Sequence, residues 1–290
     1  MNIICFLNAE YSLKVTAYRF QHTLIVNQER LQSVMLTDIL IVFAIPFLGT
    51  ALGSACVFAV RKELHPLFQK SMNGFAAGIM IAASVWSLII PALELAKNAK
   101  LPPLIPAALG LWFGIALFYS ADKLLFSKQF TPTLDKKQTK QLLPIIAVAV
   151  HNIPEGMALG VVFAAYLSGS ELISYASVIA LALGIGIQNF PEGSIISVPL
   201  FVNGKSKVRS FGIGILSAVA ETLGTAVTLL ASGLILPLLP YLLTFAAGAM
   251  IYVVIGELCP EMSEGGSSRI ATLMFALGFS IMMILDVALG

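Results

Sequence analysis

The sequence predicts an all-α polytopic membrane protein of about eight transmembrane helices. The first three and last three form an inverted-topology repeat around a central fourth and fifth. Three observations predict it. The 290-residue chain is 58% hydrophobic and only 11% charged, whereas soluble domains carry roughly 25% charged residues. Eight runs meet, or nearly meet, the length needed to span a hydrocarbon core about 30 Å thick. Short echoes relate early helices to late ones at nearly constant spacing.

The runs cover 36–60, 74–93, 101–125, 142–167, 172–202, 211–236, 238–255 and 270–285. Together they make a membrane domain of 36–290. Residues 1–35 hold Lys14, Arg19 and Arg30 but no clean apolar run for a signal peptide. They form an extracytoplasmic tail or short peripheral helix, or else reflect a start codon misassigned upstream of Met35. The fifth run exceeds one simple crossing, so it is expected to tilt, kink or project. The sixth and seventh are parted only by the 237–240 turn, with a proline at each end.

Basic residues set the orientation. With the first inter-helix loop inside, twelve of the 17 Lys and Arg fall in inside loops, among them Lys128, Lys136, Lys137 and Lys140. Outside loops hold only Lys97 and Lys100, besides the three of the tail. The positive-inside rule then places both termini outside an inner cell membrane and the 126–141 loop in the cytoplasm.

Leu48-Gly49-Thr50-Ala51 recurs as Leu223-Gly224-Thr225-Ala226, Phe75-Ala76-Ala77-Gly78 as Phe245-Ala246-Ala247-Gly248, and Ala108-Leu109-Gly110 as Ala276-Leu277-Gly278. The offsets are 175, 170 and 168 residues. Each pair is five helices apart, so its members cross in opposite directions. Such repeats characterise secondary transporters, whose substrate sites lie near the midplane at the repeat interface.

That position holds the chemistry. The fourth run contains His151-Asn152-Ile153-Pro154-Glu155-Gly156 and the fifth Gln188-Asn189-Phe190-Pro191-Glu192-Gly193, 37 residues on. His151 and Glu155 share a helix face, as do Gln188 and Glu192. Ionisable groups at this depth are costly and mark function. The prolines free the carbonyls of Val150 and Ile187 in principle. One imidazole, two carboxylates and several amide oxygens suit a dication of intermediate hardness: zinc, ferrous iron, manganese or cadmium. Glu221, midway along the sixth run, adds a third carboxylate. Cys5, Cys56 and Cys259 are too scattered for a thiolate cage, and no basic stretch suggests nucleic acid.

These two motifs, the Phe75-Ala76-Ala77-Gly78 run and the Glu257 to Pro260-Glu261 end of the seventh run resemble the Zrt/Irt-like (ZIP) metal transporters over 36–290, nearest the bacterial gufA-like branch. The resemblance implies dication uptake toward the cytoplasm and a primary site of His151, Asn152, Glu155, Gln188, Asn189 and Glu192. It also implies a bridging role for Glu221, homodimers, and one helix bundle moving against another. The metal is then cargo, and no resident cofactor or enzymatic activity is expected. Three departures stand out: Gln188 where many relatives have His, Asn189 where some have Asp, and a 126–141 loop with lysines but no histidine. The neutral Asn189 predicts one well-occupied metal and a weak or absent second.

Glu94 and Asp286, near outer helix ends, are candidate entrance residues, or interfacial carboxylates facing water. Glu257 and Glu261 are candidate exit residues, with Glu264 in a solvated acidic loop. Asp122 is expected to pair with Lys123 or a loop lysine, and His22 and His65 to be surface residues. Two other functions compete. A cation channel or proton-coupled antiporter would share the intramembrane acids. An intramembrane metalloenzyme would need a water-activating metal, yet His-Glu-x-x-His is absent.

Overall fold

A computed structural model describes residues 36–61, 64–125, 136–231, 238–263, 266 and 269–289. Among them, eight helices are long and apolar enough to cross a membrane. They are α1 (Leu36–Ala59), α2 (Pro66–Asn98), α3 (Leu104–Leu125), α4 (Lys136–Leu167), α5 (Tyr175–Val202), α6 (Lys207–Leu230), α7 (Leu239–Ser263) and α8 (Arg269–Leu289). The expected 1–35 tail with His22, the 126–135 stretch of the basic loop, Pro237 and Glu264 lie outside the described residues.

Three helices extend six residues or more beyond expectation at one end, each for a polar reason. α2 starts at Pro66, eight residues before the predicted 74. Its first turns hold Gln69, Lys70 and Ser71, which hid them from an apolar search. Proline suits that first position, and the His65 Nδ1 accepts from Leu67 N at 3.2 Å as an N-cap. α4 begins at Lys136, so Lys136, Lys137 and Lys140 open a helix instead of lying in a loop. α7 runs past the expected 255 to Ser263, carrying Glu257 and Glu261 within it.

The repeat is visible in the packing. The most extensive pairings are α1 with α5, α2 with α8, α4 with α6 and α3 with α7. Exchanging first with sixth, second with seventh, third with eighth and fourth with fifth converts α1–α5 into α6–α4, and α2–α8 into α7–α3. Both α2 and α7 also widen into a π-turn, at Ser84–Ile89 and Val254–Leu258, whose starts are 170 residues apart. Each turn precedes a proline, Pro91 or Pro260, whose ring disturbs the i−4 ladder; a wider turn accommodates it.

Two groups follow, α1/α4/α5/α6 and α2/α3/α7/α8, meeting where α5 lies on α2 and α4 on α7. In the first group, Lys207 ties three helix ends together. Its Nζ donates to the Phe58 and Val60 carbonyls at 2.9 and 3.0 Å and sits 5.1 Å from the centre of the Phe201 ring. The central pair is the dry part: 72% of the apolar window of α4 and of α5 is buried, against 22–33% in α1, α3, α6 and α8. Side chains held there must satisfy one another or a ligand.

Candidate metal centre

The seven core candidates come together. His151, Asn152, Glu155, Gln188, Asn189, Glu192 and Glu221 are all buried, four of them with no exposed surface at all. Backbone packing brings α6 close enough for Glu221 to join. A Cβ on Gly156 would overlap the Glu221 carbonyl oxygen, and one on Gly193 would overlap that of Thr50. The glycine of each Pro-Glu-Gly turn is therefore a contact residue, needed for the close approach of α4 to α6 and of α5 to α1.

The amides are oriented by their donors. Asn152 Nδ2 donates to the Ser217 carbonyl at 3.1 Å, and Asn189 Nδ2 to the Pro46 carbonyl at 3.4 Å and to Glu221 Oε2 at 2.6 Å. A carbonyl can only accept, so these contacts fix which end of each amide carries nitrogen. The opposite atoms, Asn152 Oδ1 and Asn189 Oδ1, are buried without a hydrogen-bond partner. So are both Glu155 oxygens, Gln188 Oε1 and Nε2, Glu192 Oε2 and Glu221 Oε1. Glu155 stands within electrostatic reach of Glu192 and Glu221, with Gln188 beside it.

A buried polar atom left unpaired costs about 1–3 kcal/mol, and more when charged. Bare oxygens on three neighbouring carboxyl groups are chemistry that a cation would satisfy. Among the described residues, no three His, Cys, Asp or Glu side chains form a ready cage by themselves. Amide oxygens are thus needed to complete a shell.

His151, buried with the other candidates, also reaches across to α7. Its Nε2 lies 3.2 Å from Glu257 Oε2 on α7. Both residues line a cavity of about 90 Å³ with Asn73, Pro191, Glu192 and Glu261. His151 and Glu192 therefore border both the dry core and this cavity. Asn73, which sequence reasoning missed, donates from Nδ2 to Glu261 Oε2 at 2.6 Å. An amide just ahead of the Phe75-Ala76-Ala77-Gly78 echo was the available signal. The cavity lies toward the end where α2 begins and α7 finishes.

Glu94 and Asp286 meet toward the other end, in a cavity of about 160 Å³ that also includes Trp86, Ser87 and Ile173. The Ser87 hydroxyl donates to Asp286 Oδ1 at 2.7 Å, while Asp286 Oδ2 is buried without a partner. Ser87 too was missed, because a serine in an apolar run carries little signal. Between the two cavities, along the same helices, lie Ile79, Met80, Ala83, Leu159, Leu181 and Ile185, none more than 1% exposed. The core oxygens sit on the first cavity's side of this apolar plug. Asp122 accepts a hydrogen bond from the Tyr252 hydroxyl at 2.9 Å, in place of the expected lysine pairing.

A family model described as "ZIP Zinc transporter" matches residues 127–286. "Zinc transporter ZIP11" of Xenopus tropicalis is 33% identical over an alignment covering 83% of this chain and 94% of that protein. "Zinc transporter GufA" of Myxococcus xanthus is 35% identical, covering 83% and 96%, and "Zinc transporter ZIPB" of Bordetella bronchiseptica 36%, covering 84% and 79%. With its paired Asn-x-Pro-Glu-Gly helices at the centre of an eight-helix fold, the chain belongs to the ZIP zinc transporter family.

Proposed function

We propose that the protein carries divalent cations, zinc foremost, across an inner cell membrane toward the cytoplasm. The cation is held by Asn152, Glu155, Gln188, Asn189, Glu192 and Glu221, with His151 able to rotate in from its contact with Glu257. The observation that carries this reading is the pair of asparagine amides whose nitrogens are spent on backbone carbonyls. Their oxygens remain bare among carboxylates in a dry core, where a cation meets the need. Cadmium, ferrous iron and manganese fit the same donors; a soft cuprous ion does not.

The apolar plug favours a transporter over a channel, because a continuous aqueous path would have to pass Ile79, Leu159 and Leu181. Alternating access then follows from the α1/α4/α5/α6 group moving against α2/α3/α7/α8, with the present cavity open on the cytoplasmic side and both termini outside. The assembly is a homodimer, and Glu94 with Asp286 receives ions at the entrance. Glu257 and Glu261 take them at the exit.

The test is uptake by purified protein in liposomes filled with a zinc-sensing dye. Glu155→Ala and Glu192→Ala should each reduce uptake at least about a hundredfold, beyond the 10–100-fold typical of residues that only support a ligand. Folded protein and membrane insertion should be unchanged. Near-normal uptake by both variants would remove the proposed site.

A further inference from the structure

A groove on the membrane face has no part in the metal path. It encloses about 560 Å³ between α3 and α7, with Met157 of α4 at its edge; Leu109, Gly110, Phe113, Tyr241 and Phe245 supply most of the wall. Among the described residues, no charged side chain lines it. The threonine beneath it is already satisfied: Thr244 Oγ1 donates to the Pro106 carbonyl at 2.8 Å and lies 3.0 Å from the Pro240 carbonyl. Size and lining suit a single apolar ligand. All three helices are membrane spans, and Leu109 and Phe113 are 61% and 64% exposed. The medium that reaches this groove is lipid hydrocarbon.

A second observation lies at the end where α3 begins. Lys100 has φ of 57°, the only non-glycine residue at positive φ among the described residues. It closes α2 with Lys100 N donating to Lys97 O and Leu101 N to Ala96 O, both at 2.9 Å. This is the helix-ending geometry in which glycine is the usual residue. A lysine there costs about 1 kcal/mol or more of backbone strain, and such an outlier points to a use for the side chain. Lys97 and Lys100 are both exposed. Leu104 of α3 and Leu239 of α7, near the groove's mouth, stand at this same end; Leu239 shares a surface hollow with Asn98.

We propose that the groove holds one acyl chain of a bilayer phospholipid whose phosphate is met by Lys100 and Lys97. The apolar wall, with exposed lysines at the same end of the bundle, matches an amphiphile with a long tail and an anionic head. Because Met157 belongs to one helix group and Phe113 and Phe245 to the other, the bound chain spans their boundary.

Native mass spectrometry of protein extracted in mild detergent tests this, alongside thermal unfolding and zinc binding. Wild type should retain one phospholipid per protomer. Leu242 also lines the groove, and Leu242→Trp, which fills it, should abolish retention while zinc binding stays unchanged. Lys100→Gly relieves the backbone strain, so its Tm should hold or rise, yet retention should fall about fivefold, the effect of one basic residue at a lipid surface. Retention unchanged in both variants would overturn the proposal. So would a wild-type dimer without lipid that Leu242→Trp dissociates, which would give the groove to a second copy of the chain.

Discussion

α2 and α7 share a backbone device and differ in its chemistry. Both open into a π-turn just before a proline, at positions 170 residues apart, and each turn lines one of the two cavities. In α2 the turn presents a hydroxyl, Ser87, to an acid supplied by α8. The α7 turn supplies the acid itself: Glu257 meets His151 of the motif, and Glu261 follows one turn later. The repeat thus conserves the helix path while its side chains diverge. One mouth touches the metal-motif histidine directly, and the other is set back behind apolar packing. A symmetric frame can carry a directional task in this way.

The largest test of that comparison breaks the frame itself. Gly156→Val should push α6 away, because even a Cβ overlaps the Glu221 carbonyl. Uptake should fall by more than about tenfold with a loss of roughly 1–3 kcal/mol in stability, the usual cost of overpacking. Unchanged uptake and Tm would show that Glu221 does not need this close approach.

The next tests separate the two turns. Glu257→Ala removes a charge-assisted contact to His151, a class worth about 1.5–3 kcal/mol, so zinc uptake should slow about tenfold. Ser87→Ala removes a hydroxyl partner that Asp286 can exchange for water in the adjoining cavity, and about a twofold change is expected. Equal losses in the two variants, measured in the same liposome assay, would mean that the turns are functionally alike and that the chemical asymmetry is incidental.

The smallest expected effect on uptake concerns Asn189, whose Nδ2 donates to Glu221. Asn189→Asp replaces that donor with a carboxylate and leaves Glu221 facing added negative charge. A second zinc should then bind more tightly while the first changes little, as counted by elemental analysis after equilibrium dialysis. Two tightly held ions in wild type, unaltered by the substitution, would refute the single-metal reading.

What the sequence revealed follows from which forces are local. Membrane spans depend on sustained apolar length, so all eight were found, and the Leu-Gly-Thr-Ala and Phe-Ala-Ala-Gly echoes exposed the repeat that the packing displays. Helix ends that project beyond the apolar run were misplaced. Charged residues such as Lys136 and Lys137 read as loop, although a helix readily continues through them. The π-turns had no local signature beyond the later prolines. For the centre, residue type and i, i+4 spacing selected His151, Glu155, Gln188 and Glu192, depth in an apolar run pointed to Glu221, and the family resemblance supplied Asn152 and Asn189. Their hydrogen-bond directions were not legible, because the acceptors at Ser217 and Pro46 come from helices 65 and 143 residues away. His151 turning to Glu257 and Asn73 reaching Glu261 are likewise products of packing between helix groups.

The apolar plug has an electrical consequence. Ile79, Met80, Leu159, Leu181 and Ile185 separate the two cavities; with water in both, much of a transmembrane voltage would drop across this thin layer. Each elementary charge crossing 100 mV exchanges about 2.3 kcal/mol with the field, and a bare dication would exchange about twice that. Glu155, Glu192 and Glu221 travel with the site if their helix group moves, and when ionised they outweigh a single dication. The field then acts on the loaded and empty carriers in the same sense but with different strength. A negative interior would favour outward movement of the empty site most strongly, so voltage would bear on the return stroke more than on delivery.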